Sequence, residues 1–98
     1  MNYLTTKENE VLKQAKAKIR ALLHPLRQDI LTKIKENGNR MNVTEIYVKL
    51  RIEQSVASQH LAILRKEGFV NTTREGKTIW YSVNNDTIKD TVSQCENV

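Results

Sequence analysis

The positions of one proline and three glycines constrain this 98-residue chain more than any other feature of its sequence. Pro25 suits the first turn of a helix, where its missing N–H has no helical partner to lose. Gly38 and Gly68 suit helix ends, because glycine readily adopts the left-handed conformation that terminates a helix. Gly76 suits a tight hairpin turn, which also needs a positive φ. These residues divide the chain into short segments, and the length of 98 residues fits a single compact domain over residues 1–98.

Two helices are predicted on either side of Pro25. The first extends from Thr5 or Thr6 to Leu23, and Glu8 lies three residues after Thr5, as in a capping box. The second begins at Pro25, with His24 as its N-cap, and ends at Asn37-Gly38. Apolar residues recur at helical spacing in both segments. They are Val11 or Leu12, Ala15, Ile19 and Leu22 in the first helix and Ile30, Leu31 and Ile34 in the second.

The segment 44–67 has the pattern of two short helices joined by a tight turn. A short extended link leads into the third helix, which is predicted over Glu45–Leu50 with Thr44 as its cap. The turn 51–53 follows, and a fourth helix is predicted over about Gln54–Lys66. A helix-turn-helix of this kind can place its second helix in the major groove of DNA. The residues expected to be buried are Ile46 and Leu50 in the third helix and Ala57, Leu61 and Leu64 in the fourth.

A hairpin is predicted directly after the fourth helix, over residues 69–83. Its strands are Phe69–Arg74 and Lys77–Val83, joined by a turn at Glu75-Gly76. Trp80 lies on the opposite face from Tyr81, and we expect it to pack on the first helix. A last helix begins near Asn85 or Asp86. The predicted fold class is mainly α with a small β-hairpin, a winged helix-turn-helix of order α-α-(β)-α-α-β-β-α.

Composition narrows the range of partners. The 16 basic residues outnumber the 11 acidic ones, giving a net charge of +5, which is compatible with a polyanionic partner without specifying one. A single cysteine excludes an intramolecular disulfide framework. The sequence shows neither a signal-peptide core nor a run of about 20 apolar residues that would span a membrane. A cytoplasmic protein without membrane contact is therefore expected.

The outward face of the fourth helix is polar and almost uncharged in its first half. Gln and Ser can bond base edges in the major groove, and a valine can contact a thymine methyl group. The candidate base-reading residues are Gln54, Ser55, Val56, Ser58 and Gln59. Basic residues on this helix and on either side of the predicted hairpin turn can contact phosphates. The candidates for that role are Arg65, Arg74 and Lys77.

The same residues resemble a known family. The run SVASQHL at 55–61, followed by Leu64-Arg65, Gly68 and then Arg74-Glu75-Gly76-Lys77, is similar to the ArsR/SmtB-type winged-helix repressors. The start of the second helix at His24-Pro25 resembles the same family. The resemblance implies a homodimer that binds a near-palindromic operator on double-stranded DNA. The family's dimer forms through its first and last helices, here 5–23 and 85–96. The matching interface candidates are Leu12, Ala15, Ile19, Ile88, Val92 and Cys95.

The chain departs from the family's metal-sensing members. The third helix lacks cysteine, residues 84–98 contain no histidine, and His24, His60 and Cys95 are scattered along the chain. Soft and borderline metals need several such ligands together. We therefore expect no metal and no cofactor, and the signal that would release DNA is not identified. His60 is expected to be half-buried rather than to contact DNA.

Two functions are compatible with these patterns. The first is a sequence-specific transcriptional regulator, more readily a repressor than an activator. The alternative is a winged-helix module that binds an acidic protein partner, and the nearly uncharged fourth helix argues against it. An enzyme is not expected, because no catalytic constellation is visible in the sequence.

Overall fold

A computed structural model describes the backbone of residues 5–96 and the side chains of residues 5–94. Helices and strands follow the predicted order, which confirms the fold class. The elements are α1 (Thr6–Leu23), α2 (Pro25–Glu36), β1 (Met41–Asn42), α3 (Val43–Leu50), α4 (Gln54–Lys66), β2 (Val70–Glu75), β3 (Thr78–Val83) and α5 (Asn85–Glu96).

The N-caps of α1 and α2 are residues that the sequence predicted for this role. The Thr5 hydroxyl accepts a hydrogen bond from the Glu8 backbone N–H at 3.1 Å, so Thr5 rather than Thr6 is the N-cap of α1. His24 caps α2 by accepting from the Leu26 N–H through Nδ1 at 3.2 Å. Such a cap satisfies a backbone donor that the helix itself leaves unpaired.

The start of α3 differs from the prediction. The N-cap is Asn42, not Thr44, and the helix begins at Val43. The Asn42 side chain accepts from the Glu45 N–H at 2.9 Å, and the Glu45 carboxylate accepts from the Asn42 N–H at 3.1 Å. This reciprocal pair is a capping box, and it satisfies two backbone donors where Thr44 could satisfy one. Thr44 is instead exposed in the first turn of α3.

The strands form one antiparallel sheet in the order β1-β3-β2. Glu75 pairs with Thr78, so the two residues of the hairpin turn are Gly76 and Lys77, not Glu75 and Gly76 as predicted. Gly76 has a φ of +60°, and glycine at the first central position is the preference of a type II′ hairpin turn. The shift of one residue places Lys77 at the tip of the hairpin.

The core lies between the helices and one face of the sheet. Its largest fully buried side chains come from α2, β1, α3, α4 and the residue before β2; they are Ile30, Ile34, Met41, Ile46, Leu61, Leu64 and Phe69. Every residue predicted to be buried in α2 and α4 is buried, whereas Leu50 of α3 is only half-buried. Helix α5 packs against α1. The Phe69 carbonyl, which accepts from the Asn84 N–H at 2.8 Å, ties the start of α5 to the start of the hairpin.

Candidate DNA-binding surface

A tight turn sets the angle between α3 and α4. Arg51 ends α3 in the left-handed conformation, with φ +56° and ψ +45°. The Ile52 N–H then donates to the Tyr47 carbonyl at 3.1 Å, and α4 begins two residues later. A non-glycine residue in this conformation costs about 1–2 kcal/mol, which the buried contacts of Ile46 and Ala57 offset. The predicted helix-turn-helix is therefore present.

Helix α4 turns its polar face to solvent. Ala57, Leu61 and Leu64 are buried, whereas four of the five predicted base-reading residues are exposed. Because residues four apart share a helix face, the exposed residues form two adjacent rows. The rows are Gln54 with Ser58 and Ser55 with Gln59. Val56, the fifth predicted residue, is half-buried and is the least accessible of the set.

A groove of about 290 Å³ lies between the hairpin and the helix-turn-helix, where the start of α3 supplies most of the helical lining and α4 supplies Ser58. It brings together Ser58 of α4 and Lys77 of the hairpin tip, two residues that the sequence assigned to base reading and phosphate contact. The remaining lining residues are Asn42, Val43, Thr44, Thr78, Ile79 and Tyr81. Sequence reasoning missed Thr44, which it treated as a cap, and Ile79, an exposed apolar residue on the groove side of β3.

The other two basic candidates, Arg74 and Arg65, are exposed but do not line the groove. Arg74 is exposed, and its Nε–H donates to the Gly76 carbonyl at 3.3 Å, which holds the side chain beside the turn. Arg65 is exposed in the last turn of α4, seven residues after Ser58 and so on the same helix face. A cation there also interacts favourably with the helix dipole, so its position alone does not specify a phosphate contact.

A second cluster lies on the outer face of the sheet. The Arg40 guanidinium forms an ion pair with Glu75 and lies 4.2 Å from the centre of the Trp80 ring. Trp80 thus packs on Arg40, and the expectation that it packs on the first helix is wrong. No sequence pattern indicates this contact, because Arg40 and Trp80 are far apart in the chain. The cluster connects the segment before β1 to the hairpin.

His60 lies on the inner side of α4. It is half-buried, as expected, and its ring centre is 4.7 Å from that of His24. Burial, together with the neighbouring His24 and Arg27, lowers the pKa of His60 below its ordinary value of 6.5. The neutral form of His60 is thus favoured, and its half-buried ring is not part of the exposed face of α4.

The predicted interface residues of α1 and α5 are partly open to solvent. Leu12 is 48% exposed and Val92 is 42% exposed, while Ala15, Ile19 and Ile88 are half-buried. Val11, which was not among the candidates, is 56% exposed beside Leu12. The side chain of Cys95 lies outside the described residues. An exposed apolar strip on a helix is typical of a surface that a partner covers.

The described part of the chain offers neither a metal cluster nor a membrane span. Among the side chains that the structure describes, no three His, Cys, Asp or Glu residues are grouped so that they could hold a metal ion. No helix within residues 5–96 is long and apolar enough to cross a membrane.

The fold and this surface define a winged helix-turn-helix transcription regulator, a class without enzymatic activity. Residues 24–72 match the family described as bacterial regulatory protein, arsR family, so the match covers half of the chain. The chain belongs to the arsR family of bacterial regulatory proteins. The resemblance noted in the sequence is thereby confirmed.

Curated relatives share this class. The chain is 35% identical over 71 residues to the transcriptional activator HlyU of Vibrio cholerae, a match that covers 72% of this chain and 64% of HlyU. It is 32% identical over 71 residues to the transcriptional repressor PagR of Bacillus anthracis, covering 72% of this chain and 70% of PagR. Two relatives of similar sequence identity to this chain are thus named as an activator and as a repressor.

Solved structures share the fold. NolR from Sinorhizobium fredii superposes with a TM-score of 0.75 at 31% identity, covering 98% of this chain and 95% of NolR. The domain of Mb0332 from Mycobacterium bovis superposes with a TM-score of 0.76 at 22% identity, covering 94% of this chain and 84% of that domain. That domain is described as a homodimeric winged helix-turn-helix DNA-binding domain.

Proposed function

We propose that this protein is a homodimeric repressor that binds a near-palindromic DNA operator. The observation that carries the proposal is the groove in which Ser58 of α4 and Lys77 of the hairpin tip lie together. A reading helix and a basic wing on one surface fit one major groove and its flanking phosphates. Two-fold symmetry then requires half-sites about one helical turn, or a multiple of it, apart.

The role proposed for each residue follows from its position on the candidate DNA-binding surface. In this proposal Gln54, Ser55, Ser58 and Gln59 read base edges, and Val56 contributes at most a peripheral apolar contact. Lys77, Arg74 and Arg65 contact phosphates. Thr44 joins this group, because its exposed hydroxyl lies on the groove at the positive end of the α3 dipole. The helix-turn-helix (44–67) and wing (69–83) thus act as one DNA-binding unit within a single domain, 1–98.

Dimerisation is assigned to the helices over 5–23 and 85–96. Helices α1 and α5 pack together within the protomer, yet they leave Val11, Leu12 and Val92 exposed. A second copy that covers this strip would remove apolar surface from water and place two copies of α4 in one assembly. The candidates Ala15, Ile19, Ile88 and Cys95 fall on the same two helices. A DNA partner also places the protein in the cytoplasm.

A selection experiment tests the central proposal. Purified protein is used to enrich duplexes from a random library, and the selected duplex is compared with a scrambled one by fluorescence anisotropy at two salt concentrations. We expect enrichment of an inverted repeat and salt-dependent binding with clear preference for it. Equal affinity for the selected and scrambled duplexes would refute sequence-specific recognition. Capture of an acidic protein without DNA retention at low salt would favour the protein-binding alternative.

Two variants with matched controls separate the roles. Gln59→Ala should reduce discrimination by about 1–3 kcal/mol, the value of one bidentate bond to a base. Lys77→Ala should weaken binding to all duplexes alike and flatten the salt slope by roughly one unit, because one phosphate is no longer neutralised. Gln28→Ala and Lys35→Ala on α2 make the same chemical changes at exposed sites away from the groove and outside the proposed dimerisation helices. A reporter gene placed behind the selected repeat then distinguishes repression from activation.

A further inference from the structure

One side chain connects the end of α1 to the DNA-reading helix. Arg27 lies in the first turn of α2 and is half-buried. Its Nε–H donates to Nδ1 of His60 in α4 at 3.1 Å, and its Nη1 makes a longer contact of 3.4 Å with the Ala21 carbonyl of α1. Three helices thus meet at a single guanidinium group.

This contact requires a neutral His60 ring. Nδ1 accepts the bond from Arg27, so it carries no proton, and the ring proton of the neutral form must lie on Nε2. A protonated ring has no acceptor to offer, and it would place a positive charge against the guanidinium. The bond between the two side chains therefore exists only in one protonation state and one tautomer.

The surroundings of His60 favour that state. The charged or titratable groups that act on the ring are Arg27, from α2, and His24, at the junction of α1 and α2. Helix α3 and strand β2 also pack against α4, and within the described residues neither supplies a carboxylate that acts on the ring. Burial and the two positive or ionisable neighbours all disfavour the charged form.

We propose, resting on the DNA-binding function above, that Arg27 is a positioning residue for α4, and that its contact with a neutral His60 couples the dimerisation helix α1 to the DNA-reading helix. While the contact is made, α4 has a fixed position relative to the end of α1, and so relative to the second copy of α4 in the dimer. When His60 gains a proton, this constraint is released, and the two reading helices no longer have a fixed spacing.

The sign of the pH effect distinguishes this role from simple electrostatics. Because the folded surroundings lower the pKa of His60, a ring released from the Arg27 contact binds a proton more readily, so lowering the pH below about 6.5 progressively favours the released arrangement. DNA affinity should therefore fall on acidification. Extra positive charge near phosphates would by itself raise affinity, so a decrease cannot come from a general charge effect.

A nuclear magnetic resonance measurement tests the contact without DNA. Long-range ¹H–¹⁵N spectra of the imidazole rings in the free protein should show His60 as the Nε2–H tautomer at pH 7.5. Arg27→Lys keeps the positive charge but not the guanidinium fork, and it should release His60 to a mixture of tautomers. A Nδ1–H tautomer in the wild-type protein would overturn the proposal at once.

Substitutions of His60 test the coupling to DNA. His60→Asn places its side-chain oxygen near the position of Nδ1 and does not titrate, so it should bind the selected duplex at pH 7.5 like the wild type and lose the pH dependence. His60→Gln places its amide near the position of Nε2, leaves Arg27 without an acceptor, and should weaken binding by about tenfold or more. His24→Asn is the control: it keeps a cap for α2 but removes a neighbour that lowers the pKa of His60, so DNA binding should stay pH-dependent with its midpoint moved to a higher pH.

The outcomes separate the two proposals. Identical pH profiles for the wild type and His60→Asn, or unchanged affinity in a folded His60→Gln, would show that the contact does not position α4. Circular dichroism at pH 7.5 establishes that each variant is folded. A wild-type protein with the Nε2–H tautomer that binds no duplex selectively at any pH would instead refute the DNA-binding function, and with it the role of Arg27 in that function.

Discussion

Replacing Asn39 tests how the loop between α2 and β1 closes the sheet. Asn39 has a φ of +59°, and its side chain faces the end of β3. The Val83 N–H donates to Oδ1 of Asn39 at 2.7 Å, and Nδ2 of Asn39 makes a contact of 3.5 Å with the Val83 carbonyl. The amide therefore pairs with a backbone N–H of a residue that is only 5% exposed.

The expected cost of Asn39→Ala has two parts. Leaving the buried Val83 N–H without its partner costs about 1–3 kcal/mol, and the 3.5 Å contact is too long to add much. Placing alanine in the left-handed conformation, which asparagine tolerates better, adds about 1 kcal/mol. The free energy of unfolding should thus fall by about 2–4 kcal/mol.

Two further variants separate these parts. Asn39→Asp keeps the short bond through its carboxylate and tolerates the positive φ, so it should stay within about 1 kcal/mol of the wild type. Asn39→Gly removes the hydrogen bond but relieves the backbone strain, so its free energy of unfolding should lie between those of the alanine and aspartate variants.

Urea unfolding followed by far-ultraviolet circular dichroism measures the free energy of unfolding of each variant. Protein concentration must be held constant, because the stability of a dimer depends on it. At an m value of about 2 kcal/mol/M, Asn39→Ala should lower the midpoint by about 1–2 M without changing m. An unchanged midpoint for Asn39→Ala would refute the role of the side chain, and equal losses for the alanine and glycine variants would refute the backbone contribution.

Four other substitutions probe the frame of the candidate DNA-binding surface. Glu53 is the N-cap of α4 without a side-chain cap bond, so Glu53→Ser should stabilise the protein by about 0.5–1 kcal/mol in thermal or urea unfolding; a loss of stability would contradict this. Asn42→Ala removes the capping box with Glu45 and should cost about 0.5–2 kcal/mol, whereas Thr44→Ala should change stability little. Arg40→Ala removes an exposed ion pair, so it should cost no more than about 1 kcal/mol, and its effect should shrink at high salt; a cost that is independent of salt would place the stabilisation in the Trp80 contact instead.

Local signals in the sequence predicted the order and most boundaries of the elements. His24-Pro25 began α2 and Gly38 followed its end, because each residue acts through its own backbone preferences. The start of α3 was missed because two nearby residues, Asn42 and Thr44, both suit an N-cap. Only the position of Glu45, three residues after Asn42, decides between them.

Contacts between distant residues were not predictable from the same patterns. Arg27 and His60 are separated by 33 positions, and Asn39 and Val83 by 44. The spacing within neither pair matches a helix or strand period, so the sequence gives no sign that the two residues are in contact. Trp80 shows the limit clearly: alternation placed it on the opposite face from Tyr81, but its partner there is Arg40, from another segment of the chain, and not the first helix.

The candidate DNA-binding surface was likewise predictable from the sequence only in part. The exposed rows of α4 follow from helical periodicity once the buried residues Ala57, Leu61 and Leu64 are known. The position of Lys77 on the same groove as Ser58 does not follow from helical periodicity. It depends on the register of the hairpin, which sets Gly76-Lys77 as the turn. A turn at Glu75-Gly76 would have moved the lysine off the tip and into a strand. The residue types proposed to contact DNA are thus visible in the sequence, whereas the shape that brings them to one groove is fixed by pairing between strands.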